Sequence, residues 1–290
     1  ISNAEVPNFP QSPNRPMIII FSAFLGGVFG LGWLLLGESS RLNFRSVDEV
    51  EQITRLPVIG SVQRVRTKNR SQVLDILAED KTTPFTEAVR NLRSSLELAG
   101  GGESHKTIMM SSCFQAEGKT TISISLAMSY AQMGKKVLLV EGDLRRPKFK
   151  NYFDLPTSGG FVSYLQGIES LENVVSHNKL TGCDIIMSGS TDQNPADLFA
   201  RADLNRLMEE MRSAYDVVIL DPPPILLVPD ARLLVPHVDY NVLLVGYAKT
   251  PRAAVKRAMS VFKSSGRTLD GVVLSMLDPK KSNDYYYEGY

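Results

Sequence analysis

The residues from 113 to 121 have the composition of a phosphate-binding loop. They follow the apolar run from Thr107 to Met110 and contain Gly118-Lys119-Thr120, after which a helical pattern continues to about Gln132. A loop between a strand and a helix points backbone N–H groups and the helix N-terminus at phosphates. We therefore expect Lys119 to reach the β- and γ-phosphates of a nucleotide, and Thr120 to bind Mg²⁺. The predicted phosphate-binding residues are Cys113, Gln115, Ala116, Glu117, Gly118, Lys119, Thr120 and Thr121.

The loop departs from the usual glycine pattern at two positions. Cys113 stands where the first glycine is expected, and Ala116 stands where many such loops have a second one. A positive φ angle at Ala116 would cost roughly 1 kcal/mol, which a folded loop can tolerate. A small residue suffices at Cys113, so we expect no catalytic role for its thiol. The alternative is a chance Gly-Lys-Thr sequence, and the strand and helix patterns on either side argue against it.

Carboxylates follow two other apolar runs. Glu141 and Asp143 come just after residues 137–140, and Asp221 comes after residues 217–220. Ligands of open α/β sheets bind outside the carboxyl ends of the strands, so these side chains should meet the loop at one cleft. Mg²⁺ takes few protein carboxylates beside phosphate and water oxygens. Each acid alone could be an ordinary loop carboxylate. Together they predict Thr120, Asp143 and Asp221 as metal ligands, and Lys119, Asp143, Glu141 and Asp221 as the catalytic groups.

Short apolar runs alternate with helical stretches throughout the second part of the chain. Such runs, with helices between them, are typical of a parallel sheet covered on both faces. We therefore predict an α/β fold over residues 83–279, a doubly wound, mostly parallel sheet of the P-loop NTPase class. The runs are Thr107 to Met110, Val137 to Val140, Asp184 to Met187, Val217 to Leu220, Val242 to Val245 and Val272 to Leu277.

Residues 17–37 contain no charged side chain and are long enough to cross a bilayer, which needs roughly 20 residues as a helix. A buried core helix would have a polar face. A signal peptide would have a basic start, whereas this run follows a proline-rich segment, residues 1–16. Basic residues are concentrated after the span, so we expect a transmembrane helix with its later flank in the cytoplasm. Residues 38–82 then form a polar juxtamembrane linker, in which Val47 to Thr54 predicts a short helix.

Overall composition excludes several classes of protein. The 290 residues carry a formal net charge of +1, which gives no electrostatic basis for binding nucleic acid. The two cysteines, Cys113 and Cys183, have no metal-ligand spacing and fit a reducing compartment. The first residue is isoleucine, so we expect further sequence before it. The polar tail, residues 280–290, is predicted to lack fixed structure.

The combined motifs resemble those of bacterial tyrosine kinases that serve capsule and exopolysaccharide export. The deviant P-loop corresponds to their Walker A motif, Asp143-Leu-Arg145-Arg146-Pro147 to the second acidic motif, and Asp221-Pro-Pro to Walker B. The proline-rich run before the span resembles that of polysaccharide co-polymerases, and Asn194-Pro195 also fits the family. The resemblance covers essentially the whole chain. One departure is Glu141, where the family usually has aspartate.

The resemblance implies an ATP- and Mg²⁺-dependent autokinase at the bacterial plasma membrane, with its kinase domain in the cytoplasm. Its helix Glu-x-x-Arg-x-x-Arg, here Glu87, Arg90 and Arg93, would assemble a homo-oligomeric ring. The tyrosines of the tail would accept phosphate in a neighbouring subunit's site. Expected partners are the membrane, the polysaccharide polymerisation and export machinery and a cognate tyrosine phosphatase. The predicted acceptors are Tyr285, Tyr286, Tyr287 and Tyr290.

Two other functions remain open from the sequence. A partition-type ATPase switch would share the loop and the acidic strand ends, but neither the apolar span nor the tyrosine tail is expected of it. A structural co-polymerase subunit with a degenerate ATP site is favoured by Ala116 and Glu141. Phosphate transfer to the tail would separate the kinase from both.

Overall fold

The protein is described by a computed structural model covering residues 15–40, 43–65, 67, 69–79, 82–99, 107–157 and 159–278, without the side chains of residues 33–40. The chain divides into two compact units, residues 1–42 and residues 43–290. The four tail tyrosines lie outside the described residues.

The described part of the first unit is a helix, α1 (Arg15–Ser40), that is long and apolar enough to cross a membrane. Its window Arg15–Gly32 has a mean hydropathy of 1.6, and none of that window is buried by the rest of the protein. The apolar side chains from Met17 to Leu31 face outward on all sides of the helix. A core helix would bury such side chains, so this helix fits a membrane anchor.

The second unit is built on a sheet of eight described strands in the order β1-β8-β7-β2-β6-β3-β5-β4. All neighbouring pairs are parallel except β4 and β5. The predicted mostly parallel sheet is therefore confirmed. The strands are β1 (Val58–Gln63), β2 (Thr107–Ser112), β3 (Val137–Glu141), β4 (Val175–Asn178), β5 (Cys183–Ile186), β6 (Val217–Asp221), β7 (Tyr240–Gly246) and β8 (Gly271–Leu277).

Helices cover both faces of the sheet, as expected of a doubly wound fold. One apolar core includes Val89, Leu92 and Leu126, and the other includes Met208, Val255 and Phe262. The helices are α2 (Val47–Thr54), α3 (Gln72–Ala78), α4 (Pro84–Ala99), α5 (Lys119–Ala131), α6 (Gly160–Leu165), α7 (Leu171–Val174), α8 (Pro195–Arg201), α9 (Leu204–Ala214), α10 (Asp230–Leu234) and α11 (Arg252–Ser264), with 3-10 turns at Phe149–Asn151 and Val235–His237.

The segment predicted as a polar linker differs from the expectation, because most of it is folded into the second unit. Its helix α2 has the predicted bounds, with Ser46 capping its N-terminus. After it, β1 pairs in parallel with β8 and forms one edge of the sheet. The compact unit thus begins at Asn43, well before the predicted domain start at residue 83.

Candidate nucleotide-binding site

The phosphate loop lies at the carboxyl end of β2, in the centre of the sheet, and leads directly into α5. Two of its residues have positive φ angles, Ala116 at 60° and Gly118 at 86°. Ala116 thus adopts the left-handed conformation considered in the sequence analysis, at a cost of roughly 1 kcal/mol relative to glycine. Two positions of the loop thus have positive φ angles, although only one of them is a glycine.

Asp221, the last residue of β6, is bonded to two residues at the end of the phosphate loop. The Lys119 ammonium lies 2.5 Å from Asp221 Oδ1, and the Thr120 hydroxyl donates to Oδ2 at 2.8 Å. The Ser123 hydroxyl adds a third donor at 3.0 Å from Oδ1. Asp221 is 1% exposed and Lys119 is 8% exposed, so this is a buried ion pair with its acceptor oxygens satisfied.

Asp143 follows β3 and lies beside this ion pair. Its Oδ1 accepts the backbone N–H of Arg146 at 3.0 Å, which fixes the carboxylate on the turn after the strand. Burial raises the pKa of Asp143, while the nearby Lys119 charge and the Arg146 amide act in the opposite direction. A carboxylate with a raised pKa is better suited to accept a proton near neutral pH than an ordinary aspartate.

A cavity of about 440 Å³ opens above the loop. The size is within the range of small-molecule sites. Its other wall comes from the segment predicted as a linker, including Arg64, Val65 and Arg70. A smaller cavity of about 240 Å³ lies beside it and shares Gln115, Asp143, Arg146 and Pro224 with the larger one. The predicted residues that line the larger cavity are Gln115, Ala116, Gly118, Lys119, Thr120, Thr121 and Asp143.

The oxygen ligands at the cavity and directly behind it suit Mg²⁺. Thr120, Asp143 and Asp221 offer a hydroxyl and two carboxylates, the ligand type that Mg²⁺ prefers. Within the described ranges, no group of three or more His, Cys, Asp or Glu side chains could hold a metal ion without help. A bound Mg²⁺ would therefore take further ligands from phosphate and water, as it usually does.

Glu141 belongs to the last position of β3 and points to backbone amides rather than into the cavity. Its Oε1 accepts the N–H groups of Lys148 and Phe149, and its Oε2 accepts that of Ser188 at 3.1 Å. The side chain is 1% exposed, and the described lining of both cavities does not include it. Burial raises the pKa of Glu141, against the effect of the three amides. This geometry is that of a carboxylate which fixes two loops beside the site.

Cys113 and Glu117 lie beneath the loop rather than on its nucleotide side. The Cys113 thiol is fully buried, and burial raises its pKa, so it is not an activated nucleophile. Glu117 is 1% exposed and accepts the Phe114 N–H at 2.9 Å and the Thr250 hydroxyl at 2.5 Å. Its side chain thus braces the loop from within, which leaves its backbone as the part available to a phosphate.

Sequence reasoning missed an ion pair that fixes the turn carrying Asp143. Arg145 donates from Nε and Nη2 to the two oxygens of Asp230, at 2.7 and 3.0 Å, and Asp230 is fully buried. The same Nη2 donates to Asn194 Oδ1 at 2.7 Å. Asn194 also caps the N-terminus of α8. Arg145 and Asn194 were noted only as parts of motifs, and Asp230 carried no sequence signal.

The predicted assembly residues lie on α4. Glu87 and Arg90 form an ion pair at 2.5 Å along the helix, both with partly exposed side chains. Arg93 instead donates to the backbone oxygen and the hydroxyl of Ser129, at 2.9 and 3.0 Å. Arg93 therefore ties α4 to the last turns of α5, the helix that begins at the phosphate loop.

The whole chain was compared with known proteins and with solved structures. No protein-family model matches the chain. Tyrosine-protein kinase YwqD of Bacillus subtilis (strain 168) is 34% identical over 204 residues, which are 70% of this chain and 86% of that protein. Tyrosine-protein kinase ptk of Acinetobacter johnsonii is 30% identical over 285 residues, 95% of this chain but 39% of that protein. The chain thus spans about two fifths of the length of some of its curated relatives.

The comparison with solved structures gives the same family as the comparison of sequences. The kinase domain of the Escherichia coli tyrosine kinase ETK superposes with a TM-score of 0.72 at 29% identity, covering 84% of this chain and 97% of that domain. The P-loop, the acidic strand ends and this overall match point to one group of proteins. The chain belongs to the bacterial tyrosine-protein kinase family.

Proposed function

We propose that the chain is an ATP-dependent protein-tyrosine kinase whose substrate is its own tyrosine-rich tail. The observation that carries the proposal is the convergence of Lys119, Thr120 and Asp143 at one cavity of about 440 Å³, with the buried Asp221 bonded to Lys119 and Thr120 behind it. The names of the relatives, which are tyrosine-protein kinases, support tyrosine as the acceptor. The cluster of four tyrosines within residues 285–290 supplies it.

Nucleotide binding requires an exchange of partners at Lys119. Its ammonium pairs with Asp221 at 2.5 Å and turns to the β- and γ-phosphates when ATP enters. Once free of Lys119, Asp221 would hold Mg²⁺ together with the Thr120 hydroxyl, and the bound ion would neutralise phosphate charge. The loop amides from Gln115 to Gly118 bind the phosphate oxygens.

Asp143 is the proposed base for the acceptor hydroxyl. The phenol oxygen of a tail tyrosine attacks the γ-phosphorus, its proton passes to Asp143, and the bond from the γ-phosphorus to the bridging oxygen of ADP breaks. Most of the rate comes from positioning and charge stabilisation, as in other phosphoryl transfers. Glu141 acts indirectly, because its carboxylate holds the amides of Lys148, Phe149 and Ser188 beside the site.

The acceptor tail belongs to a neighbouring subunit in this proposal. Glu87, Arg90 and Arg93 assemble the ring, α1 anchors it in the plasma membrane, and the kinase unit lies in the cytoplasm. Names such as "Putative tyrosine-protein kinase in cps region", a relative from Klebsiella pneumoniae, support a role in capsule or exopolysaccharide polymerisation and export. A cognate tyrosine phosphatase would reset the tail.

The first experiment measures phosphate on the tail by mass spectrometry after the purified chain is incubated with Mg-ATP in detergent. Phosphotyrosine within residues 285–290 is expected in the wild type. Lys119→Met should lose this phosphotyrosine, whereas the exposed-lysine control Lys263→Met should keep it at the wild-type level. ATP hydrolysis without phosphotyrosine would support the partition-type switch instead. Neither activity would support a structural subunit with a degenerate site.

A mixing experiment tests transfer between subunits. Lys119→Met keeps its tail but lacks the phosphate-binding ammonium, and a second variant keeps Lys119 but has phenylalanine at all four tail tyrosines. Mixed with Mg-ATP, the Lys119→Met tail should gain phosphate that it does not gain alone. If the Lys119→Met tail gains no phosphate in the mixture while the wild type is active, each subunit phosphorylates only its own tail.

A further inference from the structure

The turn between β7 and α11, residues 246–251, packs against the underside of the phosphate loop. A Cβ atom added at Gly246 would lie 3.3 Å from Thr250 Oγ1 and 3.6 Å from Glu117 Cγ. The turn is far from the loop in sequence, and Thr250 is fully buried. A Cβ atom at residue 246 would therefore be in van der Waals contact with Glu117, which shows that the turn lies directly against the loop.

Thr250 contacts the loop through its hydroxyl. The hydroxyl donates to Glu117 Oε1 at 2.5 Å and accepts the N–H of Gly246 at 2.8 Å. The other oxygen of Glu117 accepts the Phe114 N–H at 2.9 Å. Thr250 thus completes a chain of hydrogen bonds from the turn, through a buried carboxylate, to the first half of the loop. Burial raises the pKa of Glu117, and the Thr250 hydrogen bond acts to lower it.

Lys249 contacts the loop at its strained position. Its ammonium donates to the Ala116 carbonyl oxygen at 2.6 Å, and Ala116 has the left-handed φ of 60°. A carbonyl turned in this direction presents its peptide's N–H, that of Glu117, to the opposite side. The cation therefore stabilises the peptide orientation on which phosphate binding by the loop amides depends.

The turn is itself fixed from its far side. The Ala248 N–H donates to the Phe44 carbonyl oxygen at 2.7 Å, and Asn43 Nδ2 donates to the Ala248 carbonyl oxygen at 3.2 Å. Phe44 is fully buried. Because the turn is bonded to this segment on one side and to the loop on the other, it acts as a rigid support for the loop.

From these contacts we infer that Thr250 and Lys249 are positioning residues for nucleotide binding, acting through Glu117 and Ala116. The inference rests on the nucleotide-binding part of the proposed function and is independent of tyrosine transfer. Neither residue lines the larger cavity, so neither is expected to touch the nucleotide. Thr250 and Lys249 act instead by fixing the conformation of the loop that binds the phosphates.

The test is the affinity of the full chain for Mg-ADP, measured by calorimetry in detergent. Thr250→Val keeps the shape and removes the donor, and we expect Mg-ADP to bind about 10-fold more weakly, as for a lost hydrogen bond to a charged group. Thr250→Ser restores the hydroxyl and should bind within about 3-fold of the wild type. Thr181→Val is the matched control, because Thr181 is also buried and hydrogen-bonded, in the turn between β4 and β5.

Lys249→Met is the second variant, because Lys249 is exposed and its loss leaves the core intact. Weaker Mg-ADP binding with an unchanged apo melting temperature is expected of it, whereas a merely structural role would lower the melting temperature and leave affinity unchanged. Wild-type affinity in both Thr250→Val and Lys249→Met would overturn the inference. A wild type that binds Mg-ADP without phosphorylating tyrosine would contradict the proposed function and leave the inference standing.

Discussion

Replacement of the loop lysine should cost folding stability as well as nucleotide binding. In Lys119→Met the Asp221 carboxylate loses its only cationic partner among the described contacts but stays buried. The side chains of Lys119 and Asp221 are 8% and 2% exposed. Removing one partner of a buried pair costs about 3–5 kcal/mol, because the other charge is left uncompensated.

The remaining hydrogen bonds place the expected loss at the lower end of that range. Thr120 and Ser123 continue to donate to Asp221 at 2.8 and 3.0 Å, and each such bond to a charged group is worth about 1.5–3 kcal/mol. We therefore expect Lys119→Met to lower the free energy of unfolding by about 3 kcal/mol. Adding Asp221→Asn removes the uncompensated charge, so the double variant should regain more than half of the loss.

The measurement is urea unfolding followed by far-ultraviolet circular dichroism in detergent. Tryptophan fluorescence would not serve, because Trp33 lies in α1 and not in the unit that contains the loop. Lys263→Met controls for the loss of a lysine at an exposed site of α11. A loss below about 1 kcal/mol in Lys119→Met, or no recovery on adding Asp221→Asn, would refute the reasoning that the pair is buried and mutually compensating.

Two further variants and one pH profile test separate parts of the site. Glu141→Gln places an amide donor against backbone N–H groups and should lower the free energy of unfolding by about 1–3 kcal/mol, measured by urea unfolding; an unchanged midpoint would contradict the contacts. Burial raises the pKa of Asp143. As the pH is lowered, the rate of tail phosphorylation should therefore begin to fall at a pH above the ordinary aspartate pKa of about 3.9. A rate that stays constant from about pH 7 to pH 4.5 would count against Asp143 as the base. Arg93→Ala should lower the melting temperature through its lost bonds to Ser129, and an unchanged temperature with smaller oligomers by light scattering would favour a purely intersubunit role.

Hydrophobic pattern predicted the centre of the fold correctly. The six central apolar runs became strands because a parallel sheet covered on both faces needs residues that are buried on both sides, and such runs stand out in sequence. The spacing of Phe85, Val89, Leu92 and Leu96 likewise indicates a helix, and all four are buried in α4. The phosphate loop was predicted because Gly118-Lys119-Thr120 lies between an apolar run and a helical pattern, where such a sequence is typical of phosphate binding.

The edges of the sheet could not be predicted in the same way. The strand β1 contains Gly60 and has only two buried residues, Ile59 and Val62, without strict alternation, and β4 is four residues long with none of them fully buried. Both are strands because a neighbouring strand offers its free backbone groups, as β8 offers Leu277 O to Arg64 N. Those backbone groups are available only in the assembled sheet. The local sequence pattern therefore led to the prediction that residues 38–82, which include β1, form a linker.

The residues that hold the site together carry even less local signal. Lys119 and Asp221 were found because each ends a recognisable segment, but Asp230 begins the short helix α10, and Lys249 and Thr250 lie in an ordinary turn. Asp230 and Arg145 are 85 positions apart, and Thr250 and Glu117 are 133 apart. Their importance follows from burial and from hydrogen-bond partners, neither of which a single sequence contains. Residues that contact a ligand are constrained by ligand chemistry and can be predicted from motifs, whereas residues that orient them are constrained by the fold and become visible only in its coordinates.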